Sequence, residues 1–324
     1  MVKYVLAVVV ALAATLFSFG TYAMIPDNAG MQMLERENYA GARAYFESAL
    51  KQHPQNATAA AGMATVNLAQ GKNKSGVDWA QKAVAWAPQN AQYQMLLGLA
   101  YGSYIREVNV FSQLGMAYKV RDAFQHAVQL DPQNAVARLG LAKYYIMAPG
   151  IAGGSVDKAH EQIAALQKID PAAAAETRAS LAEQNNDGAK AETYLRQAAK
   201  LDNSGDGNYW LGMFLVKQNR FAEAIAAFKD GIRKNPSNSR NYYGIGNAAV
   251  LGKVHVSEAI RDLHKYLTMP HGWQPGTPTY QAAHYHLAKL YGIAGDKTNE
   301  QAQYQAALDL ASRQQEAQNT SALL

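Results

Sequence analysis

The 324 residues contain no cysteine. That excludes disulfides, thiol nucleophiles and cysteine-ligated zinc, and leaves nothing to mispair in an oxidising compartment. Charge is also sparse: 17% of residues are charged, and Lys plus Arg exceed Asp plus Glu by only 30 to 25. A surplus of this size, with no basic run, is too small to neutralise a phosphate backbone, so nucleic acid is not an expected partner. The cations stand singly, as at Lys190, Arg196 and Lys200, the pattern of a solvated helix face. β-Branched runs are scarce beyond the N-terminus and alanine is abundant, so the periodic segments read as helix and the fold class as all-α. No nucleophile beside a base, no paired carboxylates and no cofactor fingerprint occur, so neither catalysis nor a cofactor is expected. Five late histidines, His255, His264, His271, His284 and His286, make no metal motif. His284 and His286 are two apart on a helix and face different ways, and no acid joins them at i+4. The glycine-rich loop 148–155 lacks the strand before it and the Gly-Lys-Ser/Thr ending of a nucleotide loop; Ser155 reads as a helix N-cap.

Long apolar runs are confined to the first 23 residues. Lys3 supplies a positive start, Tyr4 to Phe17 is apolar but for Thr15, and Thr21-Tyr22-Ala23 offers small residues where a signal peptidase reads. Residues 1–23 are therefore expected to be a cleaved secretory signal. The alternative is an uncleaved anchor, since Tyr4 to Ala23 is long enough to cross about 30 Å of hydrocarbon. Either places the rest outside the cytoplasm, in the periplasm or secreted, with membrane contact only if the segment stays.

Proline is scarce as well, 10 in all, but its placing is regular. Pro54 to Pro88 is 34 residues, Pro88 to Pro132 is 44, Pro132 to Pro171 is 39, and Pro171 to Pro236 is 65, two periods of 34 less three. Pro54, Pro132 and Pro236 each end a fragment of small residue, aromatic and small residue: Ala42, Phe46, Ala49; Val120, Phe124, Ala127; Ala224, Phe228, Gly231. Upstream lies a second signal, an apolar residue followed by Gly or Ala, as in Leu97-Gly98, Leu141-Ala142, Leu211-Gly212, Ile245-Gly246 and Leu287-Ala288. This predicts two helices per unit, the second stopped by proline. A unit this small cannot bury its apolar face alone, so the units must stack as a solenoid.

These residues resemble the tetratricopeptide repeat family, over residues 24–324 as about eight helix pairs. The resemblance implies a right-handed superhelical solenoid whose first helices line a concave groove for an extended peptide or partner helix. Departures occur. The unit from Ala172 to Asn203 keeps Ala191, Leu195 and Ala198 but no proline; the seventh has an extra residue before Ala259 and Leu263; the eighth puts Glu300 where a small residue is expected. On the family's pattern the fifth residues of three first helices, Tyr209, Tyr243 and Tyr285, face the groove. Met213, Asn247 and Lys289 follow four residues later, and Arg240 lies one turn before Tyr243. Two readings fit: a tyrosine ladder that meets a partner, or tyrosines that pack between adjacent first helices. The family's charge clamp for carboxylate peptide tails is not reproduced.

The longer proline spacings imply insertions near 106–119 and 148–155, both placed at turns between first and second helix and therefore expected to be neighbours on one rim. Phe111, Leu114, Met116 and Tyr118 give this rim apolar content, either for a partner or for a hairpin packing on itself. Trp273 is expected to seal the last two pairs. The reading is a non-catalytic scaffold of the cell envelope that binds a protein or extended peptide. The alternative is an adaptor that handles polysaccharide in exopolysaccharide export.

Overall fold

In the computed structural model the described residues are 29–270 and 277–322, with side chains to 312. The N-terminal segment 1–23 and Trp273 lie outside them. The described residues hold sixteen α-helices, most of them in consecutive antiparallel pairs, and no strand. The pairs are α1 (Ala29–Glu35) with α2 (Tyr39–Gln52), α3 (Ala57–Ala69) with α4 (Asn73–Trp86), α5 (Ala91–Tyr104) with α6 (Val110–Leu130), and α7 (Ala135–Met147) with α8 (Val156–Ile169). They are followed by α9 (Pro171–Gln184) and α10 (Gly188–Leu201), and then by α11 (Asp206–Lys217) with α12 (Phe221–Lys234), α13 (Ser239–Gly252) with α14 (Val256–Thr268), and α15 (Tyr280–Ala294) with α16 (Lys297–Ala322). The fold is the all-α repeat solenoid expected. It divides into two compact units, residues 29–191 and residues 192–270 with 277–322.

The turn after each proline explains the period. In Pro54-Gln55-Asn56, Pro88-Gln89-Asn90 and Pro132-Gln133-Asn134, the asparagine is the N-cap of the next first helix. Its carboxamide oxygen accepts from Ala59 N at 3.0 Å, from Gln92 N at 2.9 Å and from Ala137 N at 2.9 Å. Proline thus stops one helix and asparagine starts the next. At Asp170-Pro171 the two events merge. Asp170 ends α8 and also caps α9 through Ala173 N at 3.0 Å, with Pro171 already at the first helical position, where its missing N–H costs nothing. The turn residues lost there account for the spacing of 65 that falls three short of two periods.

The aromatic signal is a wedge. Phe46, Phe124 and Phe228 on second helices are fully buried, each between a glycine of its own first helix and one of the next: Gly30 and Gly62, Gly98 and Gly140, Gly212 and Gly244. A methyl group at Gly140 or Gly244 would lie 2.5 Å from the ring, so only glycine lets the helices close over it. Each ring contributes about 1.5–3 kcal/mol by burial. Second helices are amphipathic; α12 buries Ala224, Ile225, Ala227, Phe228 and Gly231. The first helices α3 and α5 are buried around most of their girth, ten of thirteen residues and eleven of fourteen. They sit inside the stack.

The insertions differ from each other. The first was expected at a turn, but it mainly lengthens a second helix, so α6 runs 21 residues where α4 and α8 run 14. Asn109 caps this longer helix through Ser112 N at 3.1 Å, and helix continues through Phe111, Leu114 and Tyr118 because no proline interrupts it and the single Gly115 is tolerated. The second insertion is a 3-10 turn, Gly150–Ala152, and Ser155 caps α8 through Lys158 N at 3.3 Å. The two meet where the Tyr118 hydroxyl donates to Ile151 O at 2.7 Å.

Candidate partner-binding surface

The stripe proposed from sequence lies wholly in the unit of residues 192–270 and 277–322, on α11, α13 and α15. Its three tyrosines differ in exposure. Tyr209 is buried, its ring 4.8 Å from Trp210 and 6.0 Å from Phe228, and burial pushes its pKa up. Tyr243 is half-buried; it shares a 2.8 Å hydrogen bond with His286 Nε2 and packs 5.6 Å from Tyr266. Tyr285 is 47% exposed. The gradient follows position in the array. The next first helix lays Arg240 over Tyr209, its guanidinium 5.9 Å from the ring, and His286 over Tyr243, whereas the helix that follows Tyr285 among the described residues is α16.

Two expected surface residues are therefore corrected. Tyr209 belongs to the packing between helices, the second of the two readings of the ladder. Arg240 is also buried, between the Tyr209 and Trp210 rings and 4.0 Å from Asp206 Oδ1. A guanidinium can be buried there because it has aromatic faces and a carboxylate beside it. Around it, Asn238 Nδ2 donates to Asp206 Oδ1 at 2.8 Å and to Ser204 O at 2.9 Å, and Asn241 Nδ2 donates to Gly205 O at 3.0 Å. These bonds tie α13 to the turn before α11.

What stays accessible is Met213, Tyr243 and Asn247, half-buried, with Tyr285 and Lys289 exposed. The same stripe continues to Leu251, 55% exposed, and Ile293, 39% exposed, eight residues after Tyr243 and Tyr285. Extending the i, i+4 count by one turn finds both in the sequence. Tyr304 on α16, 5.9 Å from the Tyr285 ring, was missed because the Glu300 departure obscures the register of that helix. His286 is held neutral by burial, its pKa down to about 4, and its Nδ1 is buried without a hydrogen-bond partner.

The rim is in the other unit. Phe111 is almost fully exposed and Ile151 largely so, whereas Leu114 packs partly against the core. Tyr118 is half-buried, with the Arg121 guanidinium 4.9 Å from its ring. Among the described residues no three His, Asp or Glu side chains converge as metal ligands, and no helix is long and apolar enough to cross a membrane.

Known proteins can now be set beside this geometry. A family model described as tetratricopeptide repeat matches residues 33–100, and a second of the same description matches 176–239 and 211–259. These two stretches of the chain match tetratricopeptide repeats. No curated protein matches the sequence. Among solved structures, yeast Tom70 is similar over 97% of this chain and 68% of its own, at 15% identity and a TM-score of 0.58, a likeness of fold. A thermophilic TPR protein of Thermus thermophilus, TTC0263, is 19% identical over 68% of this chain and 95% of its own, TM-score 0.45. A tetratricopeptide repeat protein from Parabacteroides merdae is 12% identical over 88% and 99%, TM-score 0.46. Tetratricopeptide repeats generally act as protein-interaction scaffolds, are typically non-catalytic, and bind protein or peptide partners.

Proposed function

We propose that the protein is a non-catalytic interaction scaffold of a bacterial cell envelope, exported by its N-terminal segment. In this reading a partner protein or extended peptide lies along the stripe of α11, α13 and α15. The observation that carries it is the accessible row Met213, Asn247 and Lys289, with Tyr243 and Tyr285 beside it and Leu251 and Ile293 one turn on. Flat rings, aliphatic tips and a few polar groups on rigid helices are what a peptide-binding face needs. A photo-crosslinking residue at 247 or 285 in cells should trap a defined envelope protein, and the same residue at Lys200 or Arg233, exposed on second helices, should not. Equal trapping at all four positions defeats the reading. Trapping at Phe111 alone moves the contact to the rim. Mass spectrometry of the exported chain tests the segment: a mature N-terminus just after Ala23 means cleavage, and an intact Met1 means an anchor.

A further inference from the structure

We propose that Tyr285, Lys289 and Tyr304 form a cradle for a side-chain carboxylate of an acidic, partly apolar polypeptide segment. This rests on the scaffold reading and deepens it by giving the partner a chemistry. Lys289 follows Tyr285 by one turn of α15, and its ammonium lies 5.4 Å from the centre of that ring and 5.9 Å from the Tyr304 ring. The two phenols beside it hold its pKa above the usual lysine range. A phenol hydroxyl keeps its proton at neutral pH and can donate it to an acceptor. The cradle thus gathers an N–H and two O–H donors around one positive charge. A carboxylate, acceptor-only and with two oxygens, is the complementary group.

The neighbouring carboxylates are engaged elsewhere. Glu300 pairs with Lys297 at 2.7 Å, Asp309 accepts from Gln305 at 2.8 Å, and Asp296 accepts from Asn299 N at 3.0 Å. Apolar side chains flank the charge: Ile293 lies one turn past Lys289, and Leu308, 60% exposed, one turn past Tyr304. This favours a segment in which Asp or Glu alternates with aliphatic residues. An acidic polysaccharide fits less well. The rings meet edge to face at 64° and the ammonium lies over both, so no flat open platform remains for a sugar ring.

The test is fluorescence anisotropy on the full chain without its N-terminal 23 residues and, in parallel, on the intact chain. The probes are a labelled peptide of about twelve alternating Glu and Leu residues, the same peptide with Gln for Glu, and polygalacturonate. The acidic peptide should bind about tenfold more tightly than the Gln peptide, the size of one accessible charge-assisted contact. Lys289→Met should abolish that preference and Lys289→Arg should keep most of it; both side chains are exposed, and circular dichroism checks that the helices persist. Equal binding of the two peptides, binding of neither, or polygalacturonate binding that depends on Lys289 where the peptide shows none, overturns the proposal. Trapping of a protein at position 247 in cells is read separately, so the cradle can fail while the scaffold reading stands.

Discussion

The two units bury polar side chains in opposite ways. In the 29–191 unit, Thr65, Asn67, Ser103 and Thr177 each donate to a carbonyl four residues back on their own helix, at 2.7–3.0 Å. In the other unit, Asn238 and Asn241 reach more than thirty residues back to Ser204, Gly205 and Asp206. Even the turn asparagine changes task. Asn56, Asn90 and Asn134 cap their own helices, whereas Asn238, at the same place, makes no cap bond and turns to the preceding pair. A local bond satisfies a buried group without saying where the neighbouring pair must sit. A bond across the joint fixes that register, and leaves a group unsatisfied if the joint slips. The cross-joint bonds occur just after the repeat that lacks its proline, where Asp202-Asn203-Ser204-Gly205 stands in its place. Polar side chains there do what the Pro-x-Asn turn does elsewhere.

The first prediction concerns what the units share. Phe124→Ala and Phe228→Ala should each cost about 3–5 kcal/mol, since each empties a fully buried ring site between two glycines. Urea unfolding with hydrogen exchange on α7 and α13 reads the two sites separately. A loss at one site less than half that at the other breaks the idea of a common wedge. The second concerns what they do not share. Asn241→Ala removes a buried cross-joint donor and should cost about 1–3 kcal/mol, while Thr65→Val, losing only a bond to its own helix, should cost under about 1 kcal/mol. Equal costs erase the distinction between local and cross-joint satisfaction.

The third prediction sharpens the contrast by pH. Burial lowers the pKa of His286 to about 4, against 6.5 for an exposed imidazole. As pH falls through 6.5 the unfolded chain takes up a proton that the folded chain refuses until about pH 4, so stability is full above 6.5 and declines between the two values. The decline should reach at most about 3 kcal/mol. His264, lowered by burial and by His284, acts in the same direction. The loss should appear as faster exchange in α13 and α15 between pH 6.5 and 5, and be largely removed by His286→Gln. An unchanged slope in that variant means another group titrates.

How much of this was legible follows from where each rule lives. The Pro-x-Asn turn, the aromatic wedge and the helix pairs are local and repeated, so spacing alone displays them. The burial of Tyr209 was not legible, because it is decided by Arg240, which lies one period later in the sequence and covers the ring only after stacking. Tyr209, Tyr243 and Tyr285 hold equivalent positions and differ only in what comes next in the array. The first insertion was legible in length but not in form: proline spacing counts ten extra residues, and only the lack of a proline from Val110 to Leu130 says that most of them continue a helix. The accessible part of the stripe could be drawn from i, i+4 spacing, but its exposure depends on neighbours that the sequence does not place.

The smallest predicted effect tests whether charge also helps set the joints. Arg220 bridges Glu192 of α10 at 2.6 Å and Glu223 of α12 at 2.6 Å, and Arg196 reaches Glu192 at 2.6 Å. These pairs hold both carboxyls below their usual range, chiefly through Arg220, but the side chains lie near solvent and water screens them. Arg220→Gln should therefore cost little, and the cost should shrink as salt rises toward 1 M, where the screening length falls to about 3 Å. Asn241→Ala, whose bond is buried, should be nearly insensitive to salt. If the two variants respond to salt alike, the joint between α10 and α12 is held by charge, and the buried carboxamides are not what sets its register.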